Sequence, residues 1–182
     1  PVILHWKNDS WTRVAVPETE QNFKALFKVW GTGPNNVFAV GANGVILHFD
    51  GTKWRQQPSG TARDFISLWG RGPEDIMAVG GRANGLIARF DGKKWTHKVL
   101  TGEPGMNGIW MDSNGRATVV GGRGRILRFD SGATEYTREK TNNRLLLHGV
   151  WGTDEDNRFS VGGTLDKNPP WTGVTIQVMA SD

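Results

Sequence analysis

Short apolar runs alternate with clusters of turn residues along this chain, and the same order of runs returns four times. The clearest copy is Val29 to Trp54, VWGTGPNNVFAVGANGVILHFDGTKW. Its apolar runs are separated by Pro34-Asn35-Asn36, by Gly41 to Gly44 and by Asp50-Gly51-Thr52. Pro presets φ, and Gly or Asn accepts positive φ, so these clusters predict tight turns between strands. One copy predicts four strands: the first ends at Trp30, the second is Val37–Val40, the third is Val45–Phe49 and the fourth starts at Trp54. The residue ahead of each leading tryptophan is also apolar (Val29, Leu68, Ile109, Val150), which predicts sheets covered on both faces.

Fixed offsets test the repeat. Trp30, Trp69, Trp110 and Trp151 precede Gly41, Gly80, Gly121 and Gly162 by one constant interval, and each glycine follows a valine. An apolar strand then closes on Phe-Asp at Phe49-Asp50, Phe90-Asp91 and Phe129-Asp130. An aromatic stands at a second constant interval ahead of the next leading tryptophan: Trp54 before Trp69, Trp95 before Trp110, Tyr136 before Trp151. Tyr136, the single tyrosine, therefore fills a tryptophan slot. The leading tryptophans recur at a spacing of about 40 residues, and β-rich units of that period predict propeller blades rather than a helical solenoid. The expected fold is all-β, a β-propeller of four-stranded blades with about four to five recognisable repeats, whole or part of a larger ring. It is expected to form a single domain over residues 1–182. Residues 1–16 read as a partial blade, 23–58, 64–99 and 105–140 as regular blades, and 145–182 as an irregular one. In this reading the repeat tryptophans and glycines are structural, and the tryptophans pack in the core.

The ends of the repeat are uneven. Val2-Ile3-Leu4-His5-Trp6 matches Val45 to Phe49 and Trp11 matches Trp54, so the chain begins on a third strand. It also finishes on one, Gly173 to Val178. Two readings stay open: the first strands complete the last blade of a closed ring, or the chain is a fragment of a larger ring. Without an initiator Met or a signal-like start, a mature or truncated chain is expected.

W-G-x-x-P-x-x-[VI]-x-A-V-G followed by G-x-[IL]-x-x-[FY]-D-G-x-x-W resembles the blade of bacterial WD40/YVTN/BNR-like propellers. Photosystem assembly factors and many secreted repeat proteins belong to that broad group. The resemblance covers nearly the whole chain and implies an exported protein, periplasmic, lumenal or extracellular. The sialidase-type Asp-box is only partly met, because Gly51 and Gly92 follow their aspartates directly.

Composition removes several kinds of chemistry. The 182 residues hold 25 glycines and 9 tryptophans but no cysteine, so disulfide and thiol chemistry are excluded. No run approaches a membrane span, and direct membrane insertion is not expected. The four histidines lie on different strands without metal-ligand spacing, and no nucleophile, zinc or phosphate-loop motif occurs. No catalytic residue, metal or cofactor is expected.

Charge points to a surface instead. The net charge is +4, and residues 116–144 carry it, with seven bases against three acids (Asp130, Glu135, Glu139); the rest of the chain has 15 of each sign. In a propeller the loops between second and third strands, and between blades, share one side of the ring. That side collects Arg63, Arg82, Arg123, Lys140, Arg144, Lys167 and Trp171 against Asp64, Glu103, Glu139 and Asp166, and the residues expected to bind a partner are Arg63, Arg82, Arg123, Arg125, Arg144, Lys167 and Trp171; Trp171 sits in an insertion, Thr164 to Thr172, outside every repeat slot. The opposite side collects Glu74, Asp75, Asp112, Asp154, Glu155 and Asp156. Arg and Trp anchor protein interfaces, and irregular loops on a rigid frame are where binding sits. The expectation is a protein-interaction or assembly module contacting other protein subunits, with a carbohydrate-binding propeller as the alternative and an Asp-box glycoside hydrolase third. Nucleic acid is discounted, since no basic run is interleaved with exposed aromatics.

Overall fold

The computed structural model describes residues 1–19, 22–154, 156–164 and 170–179. They form five antiparallel sheets in chain order. The first is a hairpin of β1 (Ile3–Lys7) and β2 (Ser10–Val14). Three four-stranded sheets follow: β3 (Leu26–Gly33) to β6 (Trp54–Gln56), β7 (Phe65–Gly72) to β10 (Trp95–Leu100), and β11 (Met106–Met111) to β14 (Thr137–Glu139). The last sheet has three strands, β15 (Leu147–Asp154), β16 (Asn157–Gly163) and β17 (Gly173–Val178). Within each sheet every strand pairs with the next in sequence, and the first strands pack on one another, β3 on β7, β7 on β11 and β11 on β15. No helix among the described residues is long and apolar enough to cross a membrane.

The first strand does not end at its tryptophan. β3 continues past Trp30 to Gly33, with an irregular register between Gly31 and Gly33, and the same occurs at Gly70 and Gly72 of β7. The extra residues bring Thr32 near Asn36, whose amide donates to Thr32 Oγ1 at 2.7 Å and closes the turn over Pro34-Asn35.

The repeated Val-Gly pair has a packing cause. Gly41, Gly80, Gly121 and Gly162 stand opposite the first residue of their sheet, Leu26, Phe65, Met106 and Leu147. A Cβ at any of the four would collide with the backbone carbonyl just ahead of that residue. The glycine lets the connector from the preceding sheet lie directly on the second strand.

The tryptophans also have a common seat. Trp30 reaches Gly70 of the next sheet, where an added Cβ would lie 2.6 Å from its ring, and Trp110 reaches Gly152, where the distance would be 3.1 Å. Trp69 packs instead into a cluster containing Met111, which stands where the other sheets have that glycine. Core packing therefore describes Trp30, Trp69 and Trp110. It does not describe Trp151, which is 56% exposed although it holds the same slot. The face of the last sheet that carries Trp151 has no following sheet on it among the described residues. Tyr136 lies 5.5 Å from Phe129, as Trp54 lies 5.4 Å from Phe49 and Trp95 lies 5.2 Å from Phe90, so it does the tryptophan's work.

Polar side chains inside the frame are used locally. Asp50, Asp91 and Asp112 each accept two backbone N–H groups of the turn that follows, at 2.8–3.0 Å. These aspartates close turns. His48 stacks on Phe38 with ring centroids 4.3 Å apart, and its Nε2 lies 2.7 Å from Asn36 Oδ1. Burial, assisted by the Arg55 charge, holds the imidazole below its ordinary pKa. Folding thus favours neutral His48, and acid lets the unfolded chain take the proton first. Stability should therefore be unaffected by His48 above about pH 6.5 and fall as the pH drops from there towards the lowered native value. His48→Gln should remove that part of the acid dependence in melting curves; a curve unchanged by the substitution would contradict the assignment.

Candidate functional site

The turns between second and third strands lie against the connectors between sheets, and this contact builds the basic side. Asn43, in the turn Ala42–Gly44, donates its backbone N–H to Asp64 Oδ1 at 3.0 Å and its side-chain amide to the Asn22 carbonyl at 2.7 Å. Arg82, in the corresponding turn of the next sheet, meets the other oxygen of Asp64 at 2.8 Å. Burial alone would raise the Asp64 carboxyl, but the Asn43 amide and the Arg82 guanidinium outweigh it and hold the group below its ordinary range. Asp64 thus ties two neighbouring turns together.

Glu103 has the matching role in the connector that follows. Its side chain is wholly inaccessible to solvent, and Arg125 Nε lies 2.7 Å from Oε2 while Arg138 bonds Oε1. A buried carboxylate needs such partners, since removing one charge of a buried pair is strongly destabilising. Two of the arginines expected to face a partner are therefore engaged within the molecule: Arg82 with Asp64 and Arg125 with Glu103.

Arg63, Arg123 and Arg144 differ. All three are exposed, and among the described residues no ion pair engages them. Arg123 is the middle residue of the Gly122–Gly124 turn and has φ of +56°, the left-handed region, matching Asn43 in the first complete sheet. The turn is fixed because the Asn143 carbonyl lies where a Cβ of Gly124 would be, and Thr141 Oγ1 donates to the Gly124 carbonyl at 2.9 Å. Asn143 in turn accepts the Leu145 N–H at 3.0 Å. Arg123 and Arg144 thus belong to two loops that touch, two exposed cations beside the sheet β11–β14.

Trp171 is 64% exposed. It lies in the insertion, whose base is clasped by Thr164 N–H to the Thr172 carbonyl and by Thr172 N–H to Thr164 Oγ1, both at 3.0 Å. Lys167 lies outside the described residues, as do Glu155 and Asp166, so their expected places on the two sides have no structural account.

Sequence reasoning missed a second surface. A groove of about 680 Å³ opens between the β1–β2 hairpin and the first complete sheet, lined by Ile3, Leu4, Leu26, Val29, Val37 and Phe49 among others. The signal for one of its walls is present in residues 2–11, which match the outer strands of a repeat.

No protein-family model matches the chain, and no curated protein matches it significantly.

Proposed function

We propose that the chain is a non-catalytic protein-interaction or assembly module of the exported propeller kind, a rigid ring or part of one that presents irregular loops to an acidic surface of a partner protein. The observation that carries this reading is the exposed pair Arg123 and Arg144. Two cations held by touching loops, without an intramolecular acid on either among the described residues, suit a partner's carboxylates, and arginine is the charged side chain that anchors interfaces. The repeat residues supply the frame, since Trp30, Trp69, Trp110 and the four glycines at Gly41, Gly80, Gly121 and Gly162 are used in packing.

The test is a pull-down from the native source with wild type and with Arg123→Glu combined with Trp171→Ala. Both residues are exposed, so the melting temperature should move little. Loss of the co-purifying partner supports the basic face, and capture unchanged by the double variant overturns it. Saccharide binding with no protein captured would favour the carbohydrate-binding alternative, for which exposed Trp171 would be the stacking platform.

A further inference from the structure

The connectors on either side of the sheet β7–β10 each place one carboxylate beside arginine, Asp64 against Arg82 and Glu103 against Arg125 and Arg138. The connector into the sheet β15–β17, residues 140–146 with the sequence KTNNRLL, holds no acid. Its backbone nevertheless follows the Asp64 connector closely. Ser59 Oγ donates to the Thr61 carbonyl at 3.1 Å, and Thr141 Oγ1 donates to the Asn143 carbonyl at 3.2 Å. The Asp64 and Leu146 carbonyls each accept the N–H of the residue after a repeated glycine, Gly81 and Gly163, at 2.9 Å. Leu146 is therefore the counterpart of Asp64. The adjoining turns agree as well, since Asn43 has φ of +56° and ψ of +32° and Arg123 has φ of +56° and ψ of +31°. At the first of these joints the Asn43 N–H donates to Asp64 Oδ1 at 3.0 Å. At the last, the Leu146 side chain can accept no hydrogen bond, and no described residue is bonded to the Arg123 N–H.

We propose, resting on the reading of the chain as an interaction module, that this last joint takes a carboxylate side chain of a partner protein in the role that Asp64 fills at the first. The Arg123 N–H is the donor, and the Arg123 and Arg144 guanidinium groups are the counter-charges. Asp64 is the molecule's own precedent for the ligand. It accepts a backbone N–H from the left-handed residue of the turn and meets an arginine at 2.8 Å. The Arg123 turn has the same backbone shape before any ligand binds, so little ordering is lost on binding. The cations have changed place. Thr164 follows Gly163 where Arg82 follows Gly81, and the charge is carried by Arg123 in the turn and Arg144 in the connector. Hydrogen bonds and ion pairs to an ionised carboxylate are stronger than neutral ones, which favours an acid over an amide here. The left-handed region suits asparagine better than arginine, so Arg123 carries a backbone cost that Asn43 does not. That cost fits a side chain whose use lies in binding.

The experiment follows the Arg123 amide signal by NMR while a capped Gly-Ser peptide with one central aspartate is added. The same peptide with asparagine in its place is the control. The aspartate peptide should move the signal saturably, and the asparagine peptide should not. Arg144→Gln should weaken binding about fivefold. Leu146→Asp should supply the carboxylate from within, so that the signal starts at its shifted position and the peptide no longer binds. Leu146→Ala, which removes the leucine without adding an acid, should respond like wild type, and melting temperatures near wild type would show that both variants fold. No shift, a shift shared by the asparagine peptide, or a response that persists in Leu146→Asp would overturn the proposal. So would a response seen only after Asp166→Asn, because the chain would then fill the site itself. The native pull-down repeated with Leu146→Asp separates the site from the module reading. Loss of the partner supports the site, and capture equal to wild type overturns it while the module stands. A peptide response with no partner captured by wild type sinks the module and assigns the carboxylate to a free small acid.

Discussion

Trp110→Ala should destabilise the protein by about 4 kcal/mol, the cost of emptying a buried tryptophan site. Trp151→Ala, at the same place in the repeat, should change stability by less than about 0.5 kcal/mol. The two residues have matching sequence surroundings: each follows an apolar residue and stands at the same distance ahead of its glycine. They differ in what the next sheet supplies. Trp110 is 5% exposed, and its ring lies on Gly152 of the following sheet, so alanine would open a cavity between two sheets that cannot collapse without moving β15. Trp151 faces solvent, so its removal takes away little packing. For a chain of this length the Trp110 variant should melt roughly 10 °C lower. Thermal unfolding of the two variants side by side checks the claim, and similar losses at both positions would show that exposure does not set their contribution.

Gly80→Ala is expected to be nearly as damaging. Alanine usually suits a strand better than glycine, because it restricts the unfolded chain. Here the sign reverses, since the new methyl would enter the space held by the Asp64 carbonyl and the Phe65 backbone. The strand cannot yield easily, because it is hydrogen-bonded to neighbours on both sides. The Gly81 N–H donates to that same Asp64 carbonyl at 2.9 Å, so relief by moving the connector would break a bond as well. A loss of about 3 kcal/mol follows for overpacking of this kind. Gly72→Ala is the control: its added Cβ meets nothing within 4 Å and its φ is not in the left-handed region, so stability should stay within about 0.5 kcal/mol. Denaturant titration of both variants gives the comparison, and a tolerated Gly80→Ala would remove the packing explanation for the repeated glycine.

The frame is legible because its residues act at short range or at a fixed offset. A tryptophan and a glycine at a constant interval mark adjacent strands of one hairpin, and Asp50, Asp91 and Asp112 bond to the turns that they themselves begin. Spacing alone places Tyr136 in a tryptophan slot, and it packs on Phe129 as that slot requires. The basic side is legible only as a set of charges. The burial of Glu103 against Arg125 and Arg138 joins residues far apart in the chain, and no local pattern distinguishes Arg125 from Arg123. Exposure at the ends is hidden too, since Val29 and Trp151 look like Leu68 and Trp110 until their neighbours are placed. The continuation of β3 past Trp30 escapes a sequence reading because a register irregularity at glycine leaves no trace in hydropathy.

The seating of one sheet's tryptophan on the next sheet's glycine has a bearing on how such a chain lengthens. Except in the unit with Met111, each unit carries the projecting ring for the joint ahead and the bare backbone for the joint behind, both within a single repeat of the sequence. A tandem duplication of one unit at the level of the gene would bring matching halves to both new junctions without any further substitution. The sheet β11–β14 differs at the joint itself, with Met111 in place of glycine and still packed in the core, so the coupling accommodates a different residue at that position.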